Sequence, residues 1–412
     1  MGELSETVLF TNAAVLDAAA GAVAPGRRVL VRGGEIAAVG TDVEAGDARV
    51  VDLGGKTLMP GLIDCHVHVN AHTADLSGLG DQSPAYVAVK AAIELREMLG
   101  RGFTTVRDPG GADFGIHDAV AEGLIDGPRI FFGGKALSQT GGHVDMRPRG
   151  RSVHDDHQCC PDLGLVCDGV DGVRRAAREQ LRTGAHHVKI MLSGGVASPT
   201  DRIDSTQFSI EEIRAIVEEA EAANRYVAGH AYTARAINRG LAAGVRSIEH
   251  GNLLDESSVE LFLEHDAFLV PTLVTYRRMA AEGAEYGLSP ANLAKNEIVL
   301  DAGLRALELA HRAGVNLCYG SDLLGGMRRH QLDEFAIRGA VIPAADVIRS
   351  ATVTAARLLG EEARLGQVAP GFAADLLVVD GDPLADLAVL TDPGAHLRLV
   401  MQGGSVKHGA LD

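Results

Sequence analysis

Tryptophan is absent from this 412-residue sequence, and aromatic residues make up only 4% of it. The composition therefore gives no sign of a large aromatic stacking pocket. Basic residues are also few, with 38 Lys and Arg against 55 Asp and Glu, and the formal net charge is −17. A protein that binds nucleic acid needs positive charge to neutralise phosphates. We therefore expect no nucleic-acid partner, and the acidic surface indicates solubility and nothing more.

Disulfide frameworks and membrane segments are not indicated either. The five cysteines are an odd number in a long chain, and Cys159 and Cys160 are adjacent, which does not suit a secreted disulfide scaffold. No run of 18 apolar residues is present, and Glu3 and Glu6 stand where a signal peptide would carry basic residues. These absences predict a cytoplasmic protein without a membrane partner.

The length predicts more than one structural unit, because single cores usually stop growing at about 250 to 300 residues. A hydrophobic fraction of 46% and 50 glycines are typical of a globular, turn-rich chain. Both ends contain short apolar runs next to glycines. We predict that residues 1–57 and 361–412 form one small β-sandwich domain beside a larger domain of residues 58–360.

Between these ends, short apolar strands alternate with longer Ala-rich segments of helical periodicity, such as 209–224. This alternation is typical of a parallel sheet in an α/β protein. The predicted strands are 58–69, 103–108, 129–134, 186–192, 226–232, 246–252, 268–274 and 315–322. Eight such units in about 300 residues predict a (β/α)8 TIM-type barrel, whose catalytic residues lie at the carboxyl ends of the strands.

A His-x-His pair marks the end of the first predicted strand. The run from Met59 onward places His66 and His68, with Cys65 beside them, after a buried apolar stretch. Side chains two residues apart on a strand project to the same face, so both imidazoles can reach one metal ion. The pair alone is equally compatible with a structural role.

Five more polar residues fall at or just after predicted strand ends. They are His143, Lys189, His230, His250 and Asp322. Each has a simpler explanation by itself, such as a core histidine, a helix cap at Asp322 or a surface lysine at Lys189. Because all of them reach the same end of one predicted barrel, we interpret them together with the histidine pair as a metal site.

The run Pro60-Gly61-Leu62-Ile63-Asp64-Cys65-His66-Val67-His68, followed in order by Lys189, His230, His250 and Asp322, resembles the amidohydrolase superfamily over nearly the whole chain. The segments 188–195, 229–232 and 248–251 are similar to its binuclear branch, which contains metal-dependent prolidases and Xaa-Arg or Xaa-Lys carboxypeptidases. The resemblance implies two Zn²⁺ ions, one bound by His66, His68 and Asp322 and the other by His230 and His250. It also implies that Lys189 bridges both ions as a carboxylated lysine.

The ligand types suit this interpretation. An ammonium group has no acceptor, so Lys189 can bind a metal only after carbon dioxide has converted it to a carbamate. Imidazole and carboxylate ligands suit Zn²⁺, and Mn²⁺ or Fe²⁺ remain alternatives. The expected chemistry is hydrolysis of an amide or peptide C–N bond by a hydroxide that bridges the two ions. Asp322 is the catalytic candidate that passes a proton to the leaving amine.

The resemblance also suggests substrate contacts. His143 and Tyr232 correspond to residues that bind near the substrate's carbonyl and terminal carboxylate in the related peptidases, which makes His143 a second catalytic candidate. His330, in the polar run 328–331, is a further candidate contact. The implied substrates are dipeptides or N-acyl amino acids of the Xaa-Pro or Xaa-Arg/Lys type.

Three alternatives remain open at this point. A detoxifying amidase, carbamate or organophosphate hydrolase would use the same binuclear centre. A mononuclear deaminase or an imidazolonepropionase-type hydrolase would act on a cyclic C–N bond and need no bridging lysine. A non-catalytic scaffold would be expected to lack some ligands, and none is missing. The expected partners are a small-molecule substrate and further copies of the chain, since the resemblance implies a homo-oligomer.

The segment 145–168 is the most irregular part of the chain, and loops of this length are usually functional or mobile. We interpret it as a cover for the active site or as an oligomer contact. His154, His157, Cys159 and Cys160 offer metal-ligand types, but their spacing fits no zinc motif.

Overall fold

The computed structural model of the chain describes residues 7–148, 150–151 and 161–411. The strands in these ranges are β1 (Val8–Asp17), β2 (Ala22–Arg32), β3 (Glu35–Gly40), β4 (Arg49–Asp52), β5 (Thr57–Pro60), β6 (Leu62–Asp64), β7 (Phe103–Asp108), β8 (Arg129–Phe132), β9 (Ala136–Ser138), β10 (Gly164–Val166), β11 (His187–Met191), β12 (Tyr226–Thr233), β13 (Ser247–Leu253), β14 (Phe268–Val270), β15 (Asn316–Leu317), β16 (Leu376–Val379), β17 (Leu397–Gln402) and β18 (Ser405–Gly409).

The helices in the same ranges are α1 (Pro84–Gly100), α2 (Phe114–Ala121), α3 (Val170–Arg182), α4 (Ile210–Ala222), α5 (Ala234–Leu241), α6 (Glu256–Glu264), α7 (Leu273–Glu282), α8 (Pro290–Leu300), α9 (Ala302–Ala313), α10 (Asp333–Gly339), α11 (Ala344–Ser350), α12 (Val353–Leu359), α13 (Ala388–Thr391) and α14 (Pro393–His396). Two 3₁₀ helices cover Leu76–Gly78 and Gly325–His330. Within the part of the chain that is described, no helix is both long and apolar enough to cross a lipid bilayer.

Strands from both ends of the chain form one mixed sheet, which we call the terminal sheet. Its order is β18-β17-β16-β5-β1-β2-β3, and β4 pairs with β1. Strand β5 lies between the two ends of the chain, because it pairs with β1 in parallel and with β16 antiparallel. Phe10, Leu58 and Leu376 are completely buried in the apolar core of this sheet. The prediction that the two termini combine into one β structure is confirmed.

The middle of the chain forms two parallel sheets with helices between their strands. One has the order β6-β7-β8 and the other β10-β9-β11-β12-β13-β14-β15. Backbone hydrogen bonds join them, from the Cys65 N–H to the Tyr319 carbonyl and from the His186 N–H to the Phe132 carbonyl, each 2.8 Å long. All five residues of β11 are buried, as expected for a parallel strand covered on both faces. The α/β class with a parallel sheet is confirmed.

Helix α4 shows why the predicted helical segments form where they do. The side chain of Ser209 accepts a hydrogen bond from the Glu212 N–H, and the Glu212 carboxylate accepts one from the Ser209 N–H. This capping box satisfies two backbone donors that the first turn leaves without partners. Ile213 and Ile216 then lie on the buried face of the helix.

The first predicted strand, 58–69, is in fact two strands that belong to different sheets. The break is at Gly61, whose N–H donates to the Asp375 carbonyl at 2.8 Å. A Cβ at this position would lie 2.2 Å from the Thr104 hydroxyl, so only glycine fits the crossing. Strand β6 ends at Asp64, so His66 and His68 lie in the loop after the strand and strand alternation does not explain how they converge.

Two other predicted strands are shorter than expected. The strand predicted over 268–274 ends at Val270 because Pro271 has no N–H to continue the ladder, and α7 begins two residues later. The strand predicted over 315–322 reduces to Asn316–Leu317, and further along the N–H groups of Ser321 and Asp322 both donate to the His66 carbonyl. Strands β9 and β10 were not predicted.

Candidate metal centre

The carboxyl ends of the parallel strands surround one cavity. All of the predicted metal ligands line it, together with the predicted substrate contacts His143 and Tyr232. Those ligands are His66, His68, Lys189, His230, His250 and Asp322. The cavity is therefore built from residues that lie in β11, β12 and β13 or in the loops after β6, β9 and β15, which brings distant parts of the sequence to one point.

Three of these side chains are close enough to bind one cation. The Asp322 carboxylate lies 3.3 Å from Nε2 of His68 and 3.6 Å from Nε2 of His66. One ligand atom from each of the three residues lies within 4.8 Å of the others. Two imidazoles and a carboxylate in this arrangement suit a divalent transition metal.

Glu249 and Arg107 fix the orientation of His66. The Glu249 carboxylate accepts a hydrogen bond from Nδ1 of His66 at 2.7 Å, and Nη2 of Arg107 lies 2.7 Å from the same carboxylate. Because Nδ1 is the donor, Nε2 presents a lone pair to the cavity. Burial raises the pKa of Glu249, but the charges of Arg107 and Lys189 outweigh it and lower the pKa, so the carboxylate stays ionised.

The turn that carries His68 is held in a similar way. Nδ1 of His68 donates to the Gly110 carbonyl at 2.6 Å, which again leaves Nε2 for the cavity. The Asp108 carboxylate accepts the N–H groups of Val69 at 2.7 Å and Gly110 at 2.9 Å. Burial lowers the pKa of His68, but the Asp322 carboxylate outweighs it and the net shift is upward.

His230 and His250 lie next to each other, with ring centroids 4.6 Å apart. Nε2 of His230 donates to the Gly194 carbonyl at 3.2 Å, so Nδ1 is its free nitrogen. In His250 it is Nδ1 that bonds to a neighbour, the Thr272 hydroxyl at 2.8 Å, and Nε2 is the nitrogen left for the cavity. Burial holds the pKa of both imidazoles well below the usual range, which keeps them neutral and able to bind a metal.

The backbone is strained at two of the proposed ligands. His250 has φ +74° and Asp322 has φ +52°, a region that non-glycine residues seldom adopt. Such strain persists where the surrounding structure enforces it, and it is concentrated at functional sites. Here it turns both side chains toward the cavity.

Lys189 meets the requirements for conversion to a carbamate. It is only 2% exposed, and within the described ranges no hydrogen bond or ion pair joins its amine to another side chain. Burial and the nearby Arg107 charge lower its pKa to about 8, so much of the amine is neutral near that pH. A neutral amine is the form that reacts with carbon dioxide, and the buried carbamate would have His66, His230 and His250 around it.

These donors fit the metal site that is typical of one hydrolase family, and the sequence as a whole matches it. Residues 57–406 fit the model of the amidohydrolase family. The chain belongs to the amidohydrolase family. The prediction of a metal-dependent hydrolase that acts on C–N bonds is thereby confirmed at the level of the family.

The solved relatives of this amidohydrolase place it in the prolidase-like branch. A prolidase in complex with N-methylphosphonate-L-proline is 48% identical, with a TM-score of 0.95 over 97% of this chain and 99% of that chain. A Xaa-Pro dipeptidase with methionine in its active site is 28% identical, with a TM-score of 0.85 over 98% and 100% of the two chains. Ochratoxinase of Aspergillus niger is 35% identical over 367 residues, which are 85% of this chain and 76% of that protein.

A series of hydrogen bonds, each donating toward the next residue, links His250 to Tyr232. The Thr272 hydroxyl accepts from His250 and donates to the Tyr276 hydroxyl at 3.4 Å, and Tyr276 donates to the Tyr232 hydroxyl at 3.2 Å. The direction is fixed at its start, because Nδ1 of His250 must donate when Nε2 faces a metal. The Tyr232 proton is then left for an acceptor in the cavity.

His330 lies outside the cavity. Its Nδ1 is 3.0 Å from Asp333 and its Nε2 is 2.9 Å from Glu282, so its ring is held by neighbouring helices. Gln331, beside it, donates to the Asp64 carboxylate at 2.9 Å and so supports the strand before His66. The possible metal cluster in the segment 145–168 has all its residues between 152 and 160, outside the described residues.

Several functional side chains were not found from the sequence. Arg107 and Glu249 orient His66, and Asp201 and Lys295 lie behind His143. The available signal was a charged residue inside a predicted strand of the parallel sheet, as Arg107 is in β7 and Glu249 is in β13. Buried charges of this kind are rarely present without a partner.

Proposed function

We propose that this amidohydrolase is a binuclear metal-dependent dipeptidase that cleaves Xaa-Pro bonds and prefers an apolar Xaa residue. The observation that carries the proposal is the chemistry of the cavity wall. Outside the metal-site residues, His143 and the tyrosines, the described lining residues are apolar. They are Leu76, Pro109, Ala136, Val144, Met146, Leu163, Met191, Val196, Ala197, Met279 and Leu324.

The same wall argues against the Xaa-Arg or Xaa-Lys alternative. A substrate arginine or lysine needs an anionic partner when it is buried. Asp322 is the single carboxylate among the described lining residues, and it belongs to the metal site. Apolar side chains and the proline ring match the remaining surface. The prolidase and Xaa-Pro dipeptidase relatives support the same choice.

The donor set fits two Zn²⁺ ions, with Mn²⁺ or Fe²⁺ as alternatives. His66, His68 and Asp322 would hold one ion, His230 and His250 the other, and carboxylated Lys189 would bridge them. The supporting observations are the hydrogen bond that each imidazole makes through one ring nitrogen, which leaves the other nitrogen for the cavity, and the buried amine of Lys189, which has no side-chain partner among the described residues. When bound, such ions polarise a carbonyl and make water a better nucleophile.

The protein groups have separate roles in this proposal. Asp322 holds a proton on a carboxylate oxygen and delivers it to the leaving nitrogen of the amide. His143 and Tyr232 bind the carbonyl oxygen or the terminal carboxylate of the substrate. Burial raises the pKa of Tyr232, so its hydroxyl stays protonated and can donate. The apolar wall excludes water and positions the Xaa side chain.

The finer architecture is part of the proposal. We infer that the two parallel sheets close into a (β/α)8 barrel over residues 58–360. The terminal sheet, from residues 1–57 and 361–412, would then fold into a β-sandwich beside it. The joining hydrogen bonds of Cys65 and His186 support closure. A cytoplasmic location and a homo-oligomeric state remain predictions.

A substrate panel tests the proposal directly. The protein would be reconstituted with Zn²⁺ and bicarbonate and assayed on Leu-Pro, Met-Pro, Leu-Lys, Leu-Arg and N-acetyl-leucine. We expect Xaa-Pro cleavage with kcat/KM at least about 100-fold above the basic dipeptides, since an unpaired buried charge costs several kcal/mol. Equal or preferred cleavage of Leu-Lys would refute the substrate assignment. One bound metal per chain would refute the binuclear centre and favour the deaminase-type alternative.

A second candidate is a detoxifying amidase, and the sequence identity to ochratoxinase favours it. The apolar wall also suits an amide whose two halves are both apolar. Adding ochratoxin to the panel distinguishes the two functions. If it is cleaved with higher kcat/KM than every dipeptide, the detoxifying function replaces the dipeptidase function.

A further inference from the structure

The ring of His143 is held by residues from a different part of the chain. Its backbone N–H donates to the Gln207 side chain at 2.9 Å. Its Nδ1 lies 3.0 Å from the Ser198 hydroxyl and 3.6 Å from the Asp201 carboxylate. No described residue bonds to Nε2, which is the nitrogen left for the cavity. Ser198 and Asp201 belong to the loop that connects β11 to α4.

Asp201 is the centre of this arrangement. It is 8% exposed and accepts hydrogen bonds from the Gly195 N–H at 3.2 Å, from the Gln207 amide at 3.0 Å and from the Ser198 hydroxyl. The single proton of Ser198 is directed at the Asp201 carboxylate, with the Gly195 carbonyl at 3.2 Å as its other acceptor, so the oxygen of Ser198 accepts from His143. Nδ1 of His143 therefore carries a proton, and the orientation of the ring is determined.

Lys295 of α8 holds Asp201 in place from the other side. Its ammonium lies 3.1 Å from the Asp201 carboxylate and also donates to the carbonyls of Gly195 at 3.0 Å and Ser198 at 2.8 Å. Burial raises the pKa of Asp201, but the nearby His143 ring, the hydrogen bond of Ser198 and the Lys295 charge outweigh it and lower the pKa. The pair is therefore charged, largely buried, and joined to the loop backbone.

We propose that Asp201, held by Lys295, is a positioning residue that acts through Ser198 to fix His143 with Nε2 directed at the substrate. The inference rests on the proposed function, in which His143 binds the substrate. It adds a determinant on the loop between β11 and α4, Asp201, whose own side chain does not line the cavity. The logic is that of a buried carboxylate that sets the tautomer of a histidine, here with one hydroxyl between them.

A double-mutant cycle tests this role. Asp201→Asn is expected to lower kcat/KM about 10- to 100-fold, as removal of a partner behind an active-site group typically does. In a His143→Gln background the same substitution is expected to change kcat/KM less than about 2-fold, because the group it positions is gone. An equal loss in both backgrounds would show a structural role and overturn the proposal.

Controls separate positioning from folding. Asp204→Asn is the matched variant, since Asp204 lies in the same loop and its side chain is 63% exposed and pairs with Arg202. It is expected to keep wild-type kcat/KM. If Asp201→Asn does not fold, Ser198→Ala removes the intermediate hydroxyl and enters the same cycle with the same two outcomes. Bound metal per chain is measured for each variant and is expected to stay constant.

A spectroscopic measurement keeps the inference independent of the substrate. Nitrogen-15 NMR of labelled histidine, with His143 assigned through the His143→Gln variant, reports which ring nitrogen is protonated at pH 8. A protonated Nδ1 in the wild type and its loss in Asp201→Asn are expected. An unprotonated Nδ1 in the wild type overturns the proposal. A protonated Nδ1 in a protein that cleaves no dipeptide refutes the proposed function and leaves the positioning role standing.

Discussion

At the level of single residues, the hydroxyl of Tyr276 determines what Tyr232 can offer a substrate. Tyr276 donates to Tyr232 and thereby leaves the Tyr232 proton for the cavity. Tyr276→Phe removes that donor, and Tyr232 can then point its proton elsewhere. We expect kcat/KM to fall about 2- to 10-fold, the value of one hydrogen bond, with bound metal unchanged because the bond between His250 and Thr272 remains.

The matched control for this prediction is Tyr286→Phe. Tyr286 accepts a hydrogen bond from Arg329 at 2.8 Å near the surface and does not line the cavity. Its variant is expected to keep full activity. Loss of metal in Tyr276→Phe, or activity equal to the wild type, would contradict the directed series of hydrogen bonds.

His187 makes the stability of the protein depend on pH. It is completely buried, and neither ring nitrogen has a hydrogen-bond partner among the residues that the structure describes. Burial, with a smaller effect of the Arg107 charge, holds its pKa well below the usual range. As the pH falls below about 6.5, the unfolded chain therefore binds a proton that the folded protein does not bind, and the free energy of unfolding decreases.

We predict that His187→Leu loses less stability on acidification than the wild type. The difference in slope should approach about 1.4 kcal/mol per pH unit below pH 6, and stability at pH 7.5 should be equal or higher because an unpartnered polar ring is removed. Urea unfolding from pH 7.5 to 5 measures both quantities. His265→Leu, at the exposed end of α6, is the control, and an unchanged slope in His187→Leu would disprove the prediction.

Which site residues could be predicted depends on how far apart in the sequence their partners are. His230 and His250 lie in the short predicted strands 226–232 and 246–252, where strand position and ligand chemistry are both visible. Glu249 is recognisable only through Arg107, which is 142 residues away, and Asp201 only through Lys295, 94 residues away. No local pattern contains such pairs, and a buried charge without its partner gives an ambiguous signal.

At the level of elements, the loop after β11 controls the position of His143. A Cβ on Gly195 would lie 2.0 Å from Cε1 of His143, so the ring rests directly on the glycine. Gly195→Ala must therefore displace the ring. We expect kcat/KM to fall about 10- to 100-fold, because a displacement of about 1 Å has an effect of this size.

The control for this substitution is Gly172→Ala in α3. A Cβ there meets nothing within 4 Å, and alanine in a helix is slightly more stable than glycine. This variant is expected to keep its activity and to unfold at an equal or higher temperature. Full activity of Gly195→Ala would mean that His143 does not require its observed position.

The elements also show what sequence patterns can predict about strands. The strand 103–108 has the bounds that the sequence predicts, because it begins after Gly102 and ends before Pro109. The breaks at Gly61 and Pro271 depend on the contact with Thr104 and on a missing backbone donor. Strands β9 and β10 have three residues each, which is too short for a periodic signal.

At the level of the whole molecule, the terminal sheet and the parallel sheets are closely connected. Gly61 is the single residue between β5 of one sheet and β6 of another. Asp375 accepts hydrogen bonds from Arg129, at the start of β8, and from the Gly403 N–H in the turn after β17, at 2.9 and 2.8 Å. A substitution that destabilises the terminal sheet is therefore expected to destabilise the parallel sheets as well.

We predict that the whole described structure unfolds in one cooperative step and that Asp375→Asn shifts all of it. The Asp375 side chain is only 6% exposed, so loss of its charge-assisted bond to Arg129 should lower the free energy of unfolding by about 1 to 3 kcal/mol. The control Asp380→Asn breaks an exposed pair with Arg398 and should change the free energy of unfolding by less than about 0.5 kcal/mol.

Calorimetry and the release of bound metal on heating measure this prediction. For Asp375→Asn, both should show one transition at a lower temperature than in the wild type. Two transitions, of which only one moves, would mean that the terminal sheet folds independently and that the division at residues 57 and 361 is also a thermodynamic boundary.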